Sequence, residues 1–549
     1  MKIEIYNKLA AQSAMSRRSV LKGATAIGGL AAFGGIGLGA GSGFAQDNVR
    51  AQLLAIPGIG QGAPSETDHI KVGELCLGPT KATVKPGEFA GVELTFMGPI
   101  TSGVFNVLFR GFLKPWQDYT GAKITWIDLI QTDFNPRIMQ SIASGTMDWD
   151  IMCMGALLEG DVMSKGLLDE MPKWVADVIE IDDYVDFLKA PVGTWNGKTY
   201  RVSIDGDVLS MNYRKDYFTD PAITGATGMT EAPKTWQQWA EFSAKVKGMK
   251  DPLTGGAAYG YLDSYKPWGG YDFYYLTNRA VSYTKYPGNP NFLFDPETMK
   301  PLVNTPGWVQ GIQDHKDMLA LQPDDQINAD PLTTGFQQFL AGTGSGLCWW
   351  GDIGARANTD DASVVGSVIG FGVSPGSDRV FNLKTNAWET PAEPNVAPNM
   401  ATIGWGVYVT NRVSNDELKR KAAWSVAAHL GGKDLSLWTS AYPSGQQPYR
   451  KSHFNVDEWV AGGYDRDYIS AYLQSLSDSY NHPNAAVEPR LPGLSQYYSA
   501  AEDELAKFYS GQHKTAQEVC DVIAATWEKI TDQLGREATI KNYQAALGL

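Results

Sequence analysis

The chain has 549 residues, 43% of them hydrophobic and 19% charged, proportions of a globular protein and not of a disordered or membrane-embedded one. Its formal charge of −14 repels phosphate backbones and excludes nucleic acid as a natural partner. The 4 cysteines and 6 histidines are dispersed, with no C-x-x-C or H-x-x-H spacing, so metal and haem sites have no support and no cofactor is expected.

In chain order, the first feature is Ser16-Arg17-Arg18-Ser19-Val20-Leu21-Lys22 ahead of a Gly/Ala-rich apolar stretch. It resembles a bacterial twin-arginine export signal, departing only at Val20, where an aromatic is commoner. The stretch from Ala24 to Leu38 is too short and too diluted by glycine to hold a membrane. Gly43-Phe44-Ala45 offers a cleavage site, so residues 1–45 are expected to be a signal peptide recognised by the twin-arginine translocase. The mature protein is then expected free in the periplasm, and more acidic than the whole, since Lys2, Lys8, Arg17, Arg18 and Lys22 face only Glu4 in the segment removed. The other reading of this run is a basic tail leading into an ordinary helix.

Residues 46–91, rich in Gly, Pro and Thr, read as an extended segment with little regular structure. A strand is expected over Val92–Met97, then a helix from Gly103 to Tyr119 with Phe105, Leu108, Phe109 and Phe112 on one face. A strand over Lys123–Ile127, a helix over Pro136–Ser144 and a strand over Trp149–Met154 follow. This alternation predicts a parallel sheet covered by helices, with ligands binding beyond the carboxyl ends of its strands. Cys153 and Cys348 lie in apolar runs where a buried free thiol is the default, although four cysteines allow three pairings. The abundance of Trp (17) and Tyr (25) suits ligands with C–H faces and hydroxyls.

Several segments in order resemble the maltose-binding-protein-like solute-binding proteins of ABC importers over roughly residues 90–535. They are Ser144-Gly145 through Lys165-Gly166-Leu167-Leu168-Asp169-Glu170, Asn196-Gly197-Lys198-Thr199-Tyr200, Met211-Asn212-Tyr213-Arg214, Pro233-Lys234-Thr235-Trp236, Leu347-Cys348-Trp349-Trp350-Gly351-Asp352, Ser374-Pro375-Gly376 and Gly404-Trp405-Gly406-Val407. The resemblance implies an α/β, two-lobed periplasmic-binding-protein type II fold, with a ligand cleft between lobes joined by hinge crossings. After a 46–91 extension, one lobe would comprise 92–205 plus 402–465 and the other 206–401 plus 466–540. Crossings are expected near Asp205-Gly206-Asp207, near Pro398 to Ile403 and around Gly463 to Ser475. Length beyond that of many relatives falls in 46–91, in Tyr259 to Phe294 and in the loop from Asp378 to Asn399.

By the same resemblance, Asp207 is the first candidate to hold a ligand, with Asp205 beside it, because a carboxylate accepts two hydroxyl hydrogen bonds at once. Trp350 and Asp352 end a strand that delivers side chains into the cleft, and strand alternation lets only one of Trp349 and Trp350 meet ligand. Trp405 stands between two glycines. Asp263, Tyr265 and Trp268 are expected on the wall of the second lobe, and Arg490 and Tyr497 near the C-terminus. Pro448-Tyr449-Arg450 is a weaker cluster, with Arg450 expected in a surface salt bridge. Met154 and Gly155 open a loop, continuing Ala156-Leu157-Leu158-Glu159, that lacks the polar groups of maltodextrin binders; this favours a smaller sugar, a polyol or a ligand with an apolar side.

The implied function is ligand capture for the permease subunits and ATPase of an ABC importer, by a monomer without enzymatic activity. A non-sugar ligand such as a polyamine or osmolyte is the alternative, with acids boxed by Trp350 and Trp405. An exported enzyme is the other: no G-x-G-x-x-G opens a helix after a strand, and nothing marks a pair of carboxylates for glycoside hydrolysis.

Overall fold

The computed structural model describes residues 43–549 apart from 59–60, 101–104, 190, 193, 288, 290, 330–334 and 443. The export-signal motif lies outside the described residues. Asp47–Leu549 forms a unit distinct from Met1–Gln46.

Two sheets organise this unit. The strands that matter here are β1 (Glu93–Pro99), β2 (Lys123–Leu129), β3 (Ile151–Gly155), β4 (Val202–Ser203), β5 (Leu209–Arg214), β6 (Tyr261–Leu262), β7 (Gly346–Trp350), β8 (Ile369–Gly372) and β9 (Trp405–Val409). The first sheet runs β2-β1-β3-β9-β4, with β1 parallel to β2 and β3, and β9 antiparallel to β3 and β4. The second runs β8-β5-β7-β6, in which only β6 and β7 are parallel. The central β3 and β9 are buried along their whole length, whereas β2, at an edge, alternates between exposed and half-buried positions.

The helix expected from Gly103 spans Asn106–Thr120, burying Leu108, Phe109, Phe112, Leu113 and Trp116 against the first sheet and ending at the left-handed Gly121. Each sheet has its own apolar core, one around Phe96, Phe112, Trp116 and Val407, the other around Phe273, Trp308, Tyr498 and Trp527.

Residues 46–91 differ from their expected irregular form. They contain the helices Glu66–Leu75 and Gly78–Thr83, and Gly43–Leu54 reaches into them. Apart from Gly73, inside Glu66–Leu75, their Gly and Pro residues fall at helix ends or between helices, and Ser65 with Asp68 closes a capping box at the start of Glu66–Leu75. This helix lies close against Asn106–Thr120: a Cβ on Gly73 would meet the Phe112 carbonyl oxygen at 2.3 Å, and one on Gly111 would meet His69 Cβ at 2.3 Å. Gly73→Ala is therefore expected to force the helices apart and cost about 1–3 kcal/mol, read as a lower urea midpoint.

The chain passes between the sheets at Ile204–Val208, from β4 to β5, and again at Asn399–Gly404, ahead of β9. Ala486–Val487 pairs in parallel with Asn399–Met400 and adds a short run of chain beside the second pass. Cys76, Cys153, Cys348 and Cys520 are buried free thiols, so none of the three pairings forms. Among the described residues no helix is long and apolar enough to cross a membrane.

Candidate functional site

The two passes touch. Gly404 (φ +81°) leaves room for the Asp205 carbonyl oxygen, which a Cβ there would meet at 2.4 Å. Thr402 and Ile403 hold φ of 63° and 53°, a region that disfavours β-branched side chains and is occupied where surrounding structure over-determines it. The constraint is visible: the Thr402 hydroxyl donates to Asp207 Oδ2, and Gln447 Nε2 donates to Asp207 Oδ1 at 2.6 Å. Gln447 also donates its backbone N–H to Asp205 Oδ1 at 2.8 Å and accepts the Gly351 N–H at 2.9 Å. One side chain thus ties the first pass to the carboxyl end of β7.

Aromatic groups from both sheets meet in front of these passes. Gly155, the last residue of β3, is paired in register with Trp405 at the start of β9. A Cβ on Gly155 would find the Tyr271 hydroxyl at 3.8 Å, Trp405 Cε2 at 3.9 Å and Thr402 Cβ at 4.0 Å, so groups from both sheets close around this buried glycine at van der Waals distance. Trp405 packs against Phe105 with ring centroids 4.4 Å apart. Trp350 leans edge-on towards Tyr271 and Tyr274 and donates its indole N–H to the Ala401 carbonyl at 3.4 Å. Alongside runs a groove of about 400 Å³, lined by Asn135 and Met139 from the helix Gln131–Ser144 and by Trp268, Tyr271, Ser495 and Gln496 opposite. Asn135 Nδ2 reaches the Gly269 carbonyl across it at 3.5 Å.

The floor is acidic and buried. Burial and mutual repulsion push Asp205 above the ordinary carboxylate range, and burial pushes Asp207 the same way. Glu488 accepts from the Tyr274 hydroxyl at 2.5 Å, its second oxygen makes no hydrogen bond, and burial pushes its pKa up to about 8. The folded state therefore holds this proton more tightly than the unfolded chain, where a Glu titrates at about 4.3. The resulting stability is full below that lower value and is lost as pH rises through about 8. The unliganded protein is expected to melt at a lower temperature at pH 8.5 than at pH 5.5, and Glu488→Gln should flatten this dependence. An unchanged slope in the variant would contradict the assignment.

The structure brings Asp205, Asp207, Gly155, Trp350, Trp405 and Trp268 to this region, with Met154 fully buried just behind Gly155. Asp352 is near, but its oxygens are engaged by the Trp349 indole at 3.0 Å and by Arg356 at 2.8 Å. Trp349 points the other way, stacked on Phe336. Asp263 and Tyr265 sit in the core of the second sheet. Arg279 donates to Asp263, His315 Nε2 lies 3.1 Å from it, and Tyr265 stacks on His315. Burial alone would raise the Asp263 pKa; His315 and Arg279 outweigh it and hold the carboxyl below its ordinary range. Tyr497 is fully buried and bonds Thr531 at 2.8 Å. Arg490 spends its guanidinium on the Pro191 and Thr194 carbonyls, beside Glu159. Arg450 is buried: it donates to the Gly431 carbonyl at 2.6 Å, lies over the Tyr184 ring and has Asp183 at 3.7 Å, so its ion pair lies mostly beneath the surface.

Tyr271, Tyr274, Thr402, Gln447 and Glu488 were not foreseen. Tyr271 and Tyr274 lie in the aromatic-rich insertion, whose composition was a signal, but no spacing distinguishes a lone Gln or Thr whose partner is some 200 residues away.

Residues 105–434 match the family model of the bacterial extracellular solute-binding proteins, and the chain belongs to that family. Solved structures agree on the fold. An ABC-transporter solute-binding protein from Agrobacterium radiobacter K84, in complex with ribitol, superposes with a TM-score of 0.63 at 17% identity, covering 81% of this chain and 100% of that one. Maltose-bound MalE3 of T. maritima gives 0.61 at 16%, covering 80% and 100%. A solute-binding protein of Agrobacterium vitis S4 with bound D-mannitol gives 0.60 at 16%, covering 81% and 99%. No curated protein matches the sequence. The fold is therefore the two-lobed one of the maltose-binding type.

Proposed function

We propose that the protein captures a small neutral sugar or polyol between its two lobes and delivers it to the permease and ATPase of an ABC importer. The observation that carries this reading is the facing of Trp405 and Gly155, from the first sheet, by Tyr271 and Trp350, from the second, over the braced carboxylate of Asp207. Aromatic faces cover C–H surfaces while the carboxylate accepts hydroxyls, a combination that suits a polyol. Ribitol and mannitol, held by two of the similar structures, are of this kind. The lobes in this reading are 92–205 with 402–465, and 206–401 with 466–540, swinging about the two passes as a monomer. The protein reaches the periplasm by the twin-arginine route, and no chemistry follows binding.

A second reading, a polyamine or other cationic solute, is favoured by one observation: Asp205 Oδ2 and Glu488 Oε2 are buried without a hydrogen-bond donor. A thermal-shift screen of sugars, polyols, polyamines and osmolytes separates the two, because a ligand of the folded state raises its melting point. Stabilisation by a neutral polyol or sugar is expected; stabilisation by polyamines alone would replace the first reading with the second.

A further inference from the structure

The groove wall that carries Trp268 and Tyr271 has no strand of its own. Residues 267–271 form a loop ahead of the helix Asp272–Thr284, turning at Gly269 (φ +70°) and Gly270 (φ +100°). Its backbone converges instead on one side chain more than 200 residues away. Glu502, on the helix Leu494–Tyr509, accepts the N–H groups of Trp268 at 3.1 Å and Gly270 at 2.7 Å with Oε2, and those of Asp272 at 2.6 Å and Phe273 at 3.2 Å with Oε1.

The carboxylate is only 2% exposed, and these N–H groups, two of them at the N-terminus of a 13-residue helix, are its hydrogen-bond donors. Burial pushes the Glu502 pKa up to about 7, and the four N–H bonds oppose that rise because each is stronger to the ionised form. Below the loop, Phe273 is fixed independently, stacked on Trp308 in the second core at 5.7 Å. Above it, Trp268 touches Tyr271 edge-on at 5.5 Å. Asn135, Tyr274 and Trp350 touch the loop or its tyrosine from the front, and the carboxylate holds its backbone from behind.

We infer that Glu502 is a positioning residue for ligand recognition: it fixes the 268–273 backbone so that Trp268 and Tyr271 present a preformed wall to the solute. This rests on the cleft being the ligand site, as proposed above. It adds a buried determinant of affinity that itself touches no ligand.

Glu502→Gln tests it, since the amide keeps the size but turns one acceptor into a donor facing N–H groups. Hydrogen exchange on the unliganded protein is expected to show the amides of 268–273 exchanging at least tenfold faster, while peptides across β5 and β7 keep the parent rates. Titration with ribitol, D-mannitol and maltose is expected to show at least tenfold weaker binding of whichever of them binds the parent. Trp268→Ala should add little to that loss in the Glu502→Gln background, because both changes remove the same wall.

Parent-like exchange in 268–273 would overturn the inference, as would faster exchange with unchanged affinity. A rise in every peptide would mark general unfolding and equally overturn the local role. If none of the three solutes binds the parent, the sugar reading fails, while the exchange result still decides whether Glu502 holds the wall.

Discussion

Arg279→Met is expected to destabilise the protein by about 3–5 kcal/mol, the largest effect foreseen for a single substitution here. Arg279 and Asp263 are each about 2% exposed at the side chain, and the guanidinium also lies 4.3 Å from the Trp236 ring centroid. Methionine fills much of the space but leaves Asp263 with the His315 ring, 3.1 Å away, in place of a guanidinium partner. A buried carboxylate stripped of its main partner bears most of its desolvation cost, whereas removing both charges restores much of the balance. Arg279→Met combined with Asp263→Leu should therefore recover a good part of the loss. Urea unfolding of the parent, both single variants and the double variant measures this as a cycle. A single-variant loss below about 1 kcal/mol, the range of an exposed pair, would contradict the burial argument.

Trp405→Ala is expected to weaken solute binding by about 2 kcal/mol or more, roughly thirtyfold, and, because the ring is only 8% exposed, also to destabilise the fold. Trp405 stands beside Gly155 at the mouth of the first sheet, and its ring is braced by Phe105 and Phe134. A rigid aromatic already held in place loses little freedom when a ligand stacks on it, which is what makes such residues anchors. Calorimetric titration with the tightest-binding polyol or sugar of the screen reads the change. Tyr497→Phe serves as the control, since that hydroxyl meets Thr531 inside the second core. Equal losses in both variants would place the ligand elsewhere.

Much of the fold was legible because its signals are local. The strand and helix periods of 92–155 gave the first sheet's parallel strands to within a few residues, and Gly121 and Gly145 stop their helices as left-handed caps. The meeting of Asp207, Gly155 and Trp405 near the two passes was legible because motif and backbone coincide there, and their contact with a ligand is the proposal made above. It was not legible where a polar residue has two plausible fates. Asp263 and Arg490 carry the chemistry of a ligand wall, yet the structure spends them on Arg279 and on two carbonyls. Only packing, which no spacing encodes, decides between a carboxylate that meets solvent and one that meets a guanidinium. The helices of 46–91 were hidden for another reason: apart from Gly73, Gly and Pro lie at their ends or between them, and the composition of ends was read as that of the whole.

Small-angle scattering of the protein, alone and saturated with the solute chosen by the screen, tests the central claim most directly. Closure of two lobes about the passes at Asp207 and Thr402 is a hinge motion, and it predicts a smaller radius of gyration in the bound state. An identical profile at demonstrated saturation would contradict capture between the lobes.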